Sequence, residues 1–143
     1  MSRAPLVIER ILPAPPDVVF SHWSEPESLR LWMKPAEGMS DARVRLDFRV
    51  GGEFEIVMQG EQAYRQHGRY LAIDLDRRIE MEWISDWMPE GERETKLTVT
   101  FEPVEGEQTR LVLSHEQLPE TDSYAGHSDG WARILSTLAD ELS

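Results

Sequence analysis

Four side chains in this sequence could exchange protons near neutral pH, and they are the histidines His22, His67, His115 and His127. His115 follows Leu111 and Leu113 at alternate positions, and alternate residues of a strand share one face. We therefore expect His115 to point into the apolar interior. There it could complete the core by hydrogen bonding to a neighbour, or it could orient a ligand or transfer a proton.

His127 precedes Trp131 by about one turn of a helical pattern. It could pack and hydrogen-bond near the start of that helix, or it could contribute to a ligand site. A metal site needs several ligands at a defined spacing, such as His-Glu-x-x-His, and no such spacing occurs. Because the chain also has no cysteine, we expect no metal, no disulfide and no resident cofactor.

No catalytic motif stands out in the sequence. It has no Gly-x-Ser-x-Gly elbow and no serine placed beside a histidine and an acid, and its 27 acidic residues are too many to single out a pair. An enzyme built on this chain would work mainly by positioning a substrate in a dry pocket, with His115 and His127 as acid–base groups. The catalytic residues therefore stay unassigned, and a role without catalysis is favoured.

Large aromatic and methionine side chains recur along the chain. Core packing explains such residues in most proteins, but rings and flexible thioethers also line pockets that adapt to an apolar ligand. Together with the two inward histidines, the predicted ligand-cavity residues are Trp32, Phe54, Met58, Trp83, His115, His127 and Trp131.

Composition predicts one domain, 1–143, with a core of its own. Acidic residues outnumber basic ones by 27 to 15, and the net charge of −12 repels phosphate backbones and anionic membranes. No segment approaches the ~20 consecutive apolar residues of a membrane span. The N-terminal residues also lack the apolar run of a signal peptide. We expect a cytoplasmic protein that binds no nucleic acid and spans no membrane.

The first half of the chain alternates between strand and helix patterns. Leu6–Leu12 is rich in β-branched residues and bounded by prolines, which predicts a strand. Residues 15–17 are typical of a first helical turn, and Ser24 is predicted to cap a second short helix. A period of two over residues 43–50 predicts the next strand, which ends at a turn formed by Gly51-Gly52.

Five further strands are predicted at 53–58, 64–73, 79–83, 95–101 and 109–116, and the inward face of the 64–73 strand stays ambiguous. From Tyr124 onward the period changes. Apolar-side residues then recur at spacings of three and four, which predicts a helix of about five turns: His127, Trp131, Ile134, Leu135, Leu138 and Leu142. Sheet and helix must bury their apolar faces against each other. The result is an α+β domain, a curved antiparallel sheet around a C-terminal helix, with the two short helices as a lid.

Several motifs occur in order along this framework: residues 15–20, Trp32, residues 47–52, residues 68–74 and His127-x-x-Gly130-Trp131. With them, the chain from about Val7 to Leu142 resembles the homologues of the activator of the heat-shock-protein-90 ATPase. That family belongs to the START-like (SRPBCC) superfamily, which also includes polyketide cyclases and the birch-pollen allergen type. The resemblance implies the helix-grip fold, with a cavity between the sheet and the C-terminal helix.

The resemblance leaves several functions open, because one fold hosts many of them. The chain could bind a small hydrophobic molecule or a lipid, or it could be a cyclase or hydratase acting on an aromatic or polyketide-like substrate. A chaperone-associated interaction protein is a third hypothesis, which the family name alone suggests. Homodimerisation is plausible for small domains of this kind, although no residue pattern argues for it.

Overall fold

The computed structural model describes residues 5–118 and 122–143, with only the backbone described for residues 122–126. The described residues form seven strands and three helices in the predicted order. The elements are β1 (Leu6–Leu12), α1 (Pro16–Ser24), α2 (Pro26–Trp32), β2 (Ser40–Leu46), β3 (Glu53–Gln59), β4 (Ala63–Asp74), β5 (Arg78–Ser85), β6 (Glu94–Val104), β7 (Gln108–Glu116) and α3 (Asp122–Leu142).

The seven strands form one antiparallel sheet in the order β1-β7-β6-β5-β4-β3-β2. From β2 to β7, each strand therefore pairs with the next strand in the sequence, and β1 pairs with the free edge of β7. The alternating pattern places one apolar set on the inner face, as predicted, with Phe54 and Ile56 on β3, Met81 and Trp83 on β5, and Leu97 and Val99 on β6, all buried. The sheet curls around α3, which is the helix-grip arrangement, and this confirms the predicted fold class.

Helix α3 packs its apolar stripe against the concave face of the sheet. Trp131, Ile134, Leu135 and Leu138 are all buried, at the spacing predicted for one helical face. The helix begins at Asp122, two residues before the predicted start at Tyr124, whose side chain lies outside the described residues. Within the described part of the chain, no helix is long and apolar enough to cross a membrane.

The short helices α1 and α2 connect the two edge strands across the open side of the sheet. On α1 the ring of Phe20 meets Phe101 of β6 edge to face, with 5.3 Å between ring centroids. Trp23 meets Trp32 of α2 in the same way at 4.7 Å. Apolar contact with both the sheet and each other therefore holds the two helices over one end of the core.

Two further local predictions are wrong. Strand β2 ends at Leu46 instead of residue 50, because the chain turns where Gly52 N–H donates to the Arg49 carbonyl at 2.8 Å. Val50 is consequently 59% exposed. Ser24 is the last residue of α1 and does not cap α2. Its hydroxyl contacts the Ser21 carbonyl at 3.4 Å, and Glu25 precedes α2 without a side-chain cap.

The Gly51-Gly52 turn depends on both glycines, for different reasons. Gly51 has φ +82°, a left-handed conformation that side chains disfavour, but a Cβ there would meet no atom within 4 Å. At Gly52 a Cβ would lie 2.0 Å from the Asp47 carbonyl oxygen, which is part of the backbone. Gly52 therefore lets the two arms of the turn approach each other, whereas Gly51 provides an unusual backbone angle.

We predict that the two substitutions differ in their effect on stability. Gly52→Ala should lower the free energy of unfolding by about 3 kcal/mol or more, because a backbone overlap must be relieved by moving the turn. Gly51→Ala should cost only about 1 kcal/mol, the usual penalty of a left-handed residue. Urea denaturation followed by tryptophan fluorescence would measure both values. Equal losses for the two variants would contradict this account.

Candidate ligand-binding site

A cavity of about 370 Å³ opens between the sheet, α3 and the loop that joins α2 to β2. Its size lies at the lower end of the range for small-molecule sites in proteins. The loop contributes Pro35, Ala36 and Met39, and helix α3 contributes Gly130 and Ile134 among others. Most of the lining is apolar, so the space suits an apolar molecule better than a polar one.

Aromatic rings form the walls of this cavity. Trp83 on β5 and Trp131 on α3 meet with 5.3 Å between ring centroids, so that the sheet and the helix contact each other at the inner wall. At the mouth, Trp87 stacks on His127 at 5.6 Å with 21° between the ring planes. Trp87 also meets Tyr64 edge to face at 5.7 Å. Since Trp87 is 45% exposed, it stands at the boundary between the cavity and solvent.

His115 lies behind this wall and is completely buried. The indole Nε1–H of Trp131 donates to His115 Nδ1 at 3.0 Å. The other ring nitrogen, Nε2, lies 2.7 Å from the hydroxyl oxygen of Thr95, and that hydroxyl donates to the carbonyl of Trp83 at 2.6 Å. An indole nitrogen can only donate, so Nδ1 must be the acceptor and Nε2 must carry the proton. Each donor in this series of hydrogen bonds, from Trp131 to the Trp83 carbonyl, then has an acceptor.

The hydrogen bonds hold His115 in its neutral form. A proton on Nδ1 would point at the indole N–H and leave two donors facing each other. Burial lowers the pKa of His115 well below its ordinary value, and the nearby His127 ring lowers it further. A ring that is shielded from solvent and bonded at both nitrogens is in no position to exchange protons with a ligand in the cavity.

Four of the seven predicted cavity residues line the cavity, namely Met58, Trp83, His127 and Trp131. The other three do not. Trp32 is fully buried against Trp23 and donates its Nε1–H to the His22 carbonyl at 3.2 Å. Phe54 stacks on the far side of Trp83 at 5.8 Å, and His115 lies behind Trp131.

The structure also brings in lining residues that the sequence analysis did not single out. Tyr64 and Gln66 come from β4, the strand whose inward face was ambiguous, and Trp87 comes from the loop after β5. Gln66 and Tyr70 both occupy alternate positions that share one face of β4, and the burial of Tyr70 marks that face as the inward one. Trp87 had no periodic signal because it follows the end of a strand.

A second, larger groove of about 620 Å³ lies on the outer face of the sheet and is lined mainly by charged residues. Its charges pair with one another. Arg65 donates to Glu55 at 2.7 Å and also pairs with Asp86, which His67 contacts at 2.8 Å. The hydrogen bond from Arg65 lowers the pKa of Glu55. Because these charges neutralise each other, the groove is explained as a solvated ion-pair network on the sheet surface.

Metal ligands do not gather at either concavity. Within residues 5–118 and 127–143, no group of three or more histidine, aspartate or glutamate side chains is placed to hold a metal ion.

Comparison with solved structures assigns the fold to a class. Protein CV1439 from Chromobacterium violaceum is 24% identical to this chain and superposes on it with a TM-score of 0.82. The match covers 97% of this chain and 96% of CV1439. Protein Mll3558 from Rhizobium loti is 28% identical over 99% of this chain and 98% of its own, with a TM-score of 0.81. These neighbours share the helix-grip fold of the SRPBCC superfamily, as predicted.

The family within that class follows from the sequence. Residues 13–143 match the family described as Activator of Hsp90 ATPase homolog 1-like protein, and the chain belongs to this family. PFC0360w, described as an HSP90 activator from Plasmodium falciparum, is 21% identical over 98% of this chain and 96% of its own, with a TM-score of 0.75. A search of curated sequences finds no significant match. Family membership supports a ligand-binding or chaperone-associated role in general terms.

The neutral state of His115 predicts how stability depends on pH. Below the ordinary histidine pKa of about 6.5, the unfolded chain binds a proton at His115 that the folded chain does not bind. The free energy of unfolding should therefore fall on acidification, with His115 contributing up to about 1.4 kcal/mol per pH unit. Urea denaturation at steps from about pH 8 to about pH 5 would measure this slope.

The comparison that isolates His115 uses the His115→Gln variant, whose side chain does not titrate. It should be less stable at neutral pH but should lack this part of the acid slope. His22→Gln is the matched control, since the His22 ring is partly exposed and contacts the Val18 carbonyl at 2.9 Å. The control leaves the His115 ring unchanged and should keep the part of the slope that belongs to His115. An unchanged slope in His115→Gln would show that His115 is not held neutral.

Proposed function

We propose that this protein binds a small, predominantly apolar molecule in the cavity between the sheet and α3. The observation that carries the proposal is the cavity itself, walled by Trp83 and Trp131 and open to solvent beside Trp87. Interiors of proteins are close-packed, and a recess of this size leaves apolar and aromatic surface in contact with water. An apolar ligand would gain the burial free energy that the empty walls forgo.

A binding role is favoured over the cyclase or hydratase alternative because of His115. That alternative requires an acid–base group that a substrate can reach, and the ring of His115 is completely buried with both nitrogens engaged. His127 lines the cavity and remains the candidate acid–base group for an enzyme. A histidine at the wall of an apolar cavity supports ligand orientation more directly than it supports a reaction.

The chaperone-associated alternative draws on the family name and on the neighbour described as an HSP90 activator. That neighbour is 21% identical, so the likeness supports a common fold and not a common partner. The cavity is the feature of this chain that calls for an occupant. Native mass spectrometry of the purified protein, followed by organic extraction, would identify a molecule that the chain retains.

A cavity-blocking variant tests the proposal directly. Gly130 lies on α3 at the cavity wall, and among the described side chains a Cβ there would meet Pro35, at 3.4 Å. Gly130→Met should place a long side chain in this space while improving the helix, since glycine disfavours helices by about 1 kcal/mol. We expect the affinity for the neutral fluorophore N-phenyl-1-naphthylamine to fall at least about tenfold, or about 1.4 kcal/mol.

Ser136→Met is the matched control, because Ser136 lies on the exposed side of the same helix. It adds the same side chain to α3 without approaching the cavity and should bind the fluorophore as the wild type does. Circular dichroism would establish that both variants are folded. A folded Gly130→Met variant with wild-type affinity would exclude the cavity as the binding site.

A further inference from the structure

Polar side chains inside this protein are concentrated at the cavity end of the sheet. The described residues include six buried polar ones: Gln66, Ser85, Thr95, Thr98, Thr109 and His115. Four of them form two hydrogen-bonded pairs on neighbouring strands. One pair, Thr95 with His115, joins β6 and β7, and the other, Ser85 with Gln66, joins β5 and β4. Buried polar groups are as a rule hydrogen-bonded. The two pairs differ in whether each of their donors has an acceptor within the protein.

The pair on β6 and β7 is complete without a ligand. Trp131 donates to one nitrogen of His115, and the hydroxyl of Thr95 passes the chain of hydrogen bonds on to the Trp83 carbonyl. The rings of Trp131 and His127 cover His115 from the cavity side, with 5.1 Å between the centroids of the two imidazoles. This pair therefore offers nothing to a molecule in the cavity.

The pair on β4 and β5 is incomplete. Gln66 and Ser85 face each other in the strand register, and the Ser85 hydroxyl donates to Gln66 Oε1 at 2.5 Å. Gln66 is only 1% exposed, and its side chain lines the cavity. Among the described residues, no protein atom accepts a hydrogen bond from its Nε2 amino group. Because Gln66 lies at the cavity wall, its amino group can be reached from the cavity, and an acceptor there would complete its hydrogen bonding.

The charges around the cavity restrict the kind of acceptor. Among the described residues that line it, none is a lysine or an arginine, and Asp129 places a carboxylate at the rim. A ligand carboxylate or phosphate would be desolvated here without a lysine or arginine to pair with and close to a like charge. The acceptor that fits an amide N–H in these surroundings is an uncharged oxygen, such as the carbonyl of a ketone.

The shape of the walls restricts the rest of the ligand. Tyr64, Trp83, Trp87 and Trp131 present ring surfaces around a space of about 370 Å³. Aromatic surfaces are matched best by another ring, which can stack or meet them edge to face. Trp83 and Trp131 are tilted by 50° to each other, so a flat ring could stack on one and meet the other closer to edge to face.

We propose that the cavity takes an uncharged, flat aromatic molecule with a carbonyl group at its inner end, and that Gln66 determines this specificity by donating its Nε2–H to the carbonyl oxygen. The inference rests on the proposed binding function and names the class of ligand. Ser85 acts as a positioning residue, because its hydrogen bond fixes the rotation of the Gln66 amide. Tyr64, Trp83, Trp87 and Trp131 supply apolar contact and tolerate many ring systems.

Two probes of the same shape separate the role of the carbonyl from that of the ring. 2-Acetylnaphthalene carries the carbonyl, and 2-isopropenylnaphthalene replaces its oxygen by a CH₂ group. Isothermal titration of the intact protein should give about tenfold tighter binding for the ketone, the value of one buried hydrogen bond. In Gln66→Met, which keeps the length and removes the donor, the preference should disappear while the affinity for the alkene stays within about twofold.

A measurement on the unmodified protein makes the test independent of how the variant folds. The infrared carbonyl stretch of bound 2-acetylnaphthalene should move to lower wavenumber than in hexane, as it does when the oxygen accepts a hydrogen bond. Ketone and alkene binding equally well, or a hexane-like carbonyl stretch, would overturn the role of Gln66 and leave the binding function standing. Failure of both probes to bind would overturn the ligand class. If N-phenyl-1-naphthylamine also fails to bind, the proposed function fails with it.

Discussion

The indole N–H of Trp131 on α3 donates to the Nδ1 of His115 on β7, and neither side chain is in appreciable contact with water. Losing either partner would leave a buried polar group unpaired, at a cost of about 1–3 kcal/mol. Apolar packing alone would let the helix rotate or slide by small amounts, whereas a directional bond admits one arrangement. Because Trp131 also forms the inner wall of the cavity with Trp83, the bond that orients α3 on the sheet also sets the width of the cavity.

The space exists at one end of the sheet because the two ends are filled differently. At the far end, Phe20 of α1 packs edge to face against two other phenylalanine rings, with centroid separations of 5.3 to 5.7 Å. These are Phe48, in the turn after β2, and Phe101 of β6. At the cavity end the corresponding inward positions hold Gln66 and Ser85, while α3 presents Gly130. Glycine, serine and an amide cannot fill the volume that phenylalanine rings fill, so the curved sheet and the helix remain apart there. The difference in side-chain volume, more than the backbone, decides where a ligand could bind.

Much of this architecture could be predicted from the sequence, because the spacing at which apolar residues recur indicates which of them are buried together. The inward set on β3, β5, β6 and β7 and the buried stripe of α3 follow from periods of two and of three to four. The face of β4 did not, since its inward residues Tyr64, Gln66 and Gly68 look no more apolar than its outward ones. Gln66 is buried because Ser85 on another strand satisfies its amide oxygen, and no pattern along one strand reports a partner on the next. Trp87 lies in a loop, where its position is set by stacking on His127.

The two polar pairs also indicate why the amide of Gln66 faces the cavity and the imidazole of His115 does not. An imidazole in contact with a ligand and solvent would change charge near neutral pH, so that its hydrogen-bonding character would change with its protonation. Here His115 is kept neutral by burial and by bonds at both nitrogens, and its contribution is to hold α3 in place. Gln66 carries no charge at any ordinary pH, so the direction of its donation stays constant. A neutral donor also costs less to desolvate than a charged one, which allows the cavity walls to remain aromatic around it.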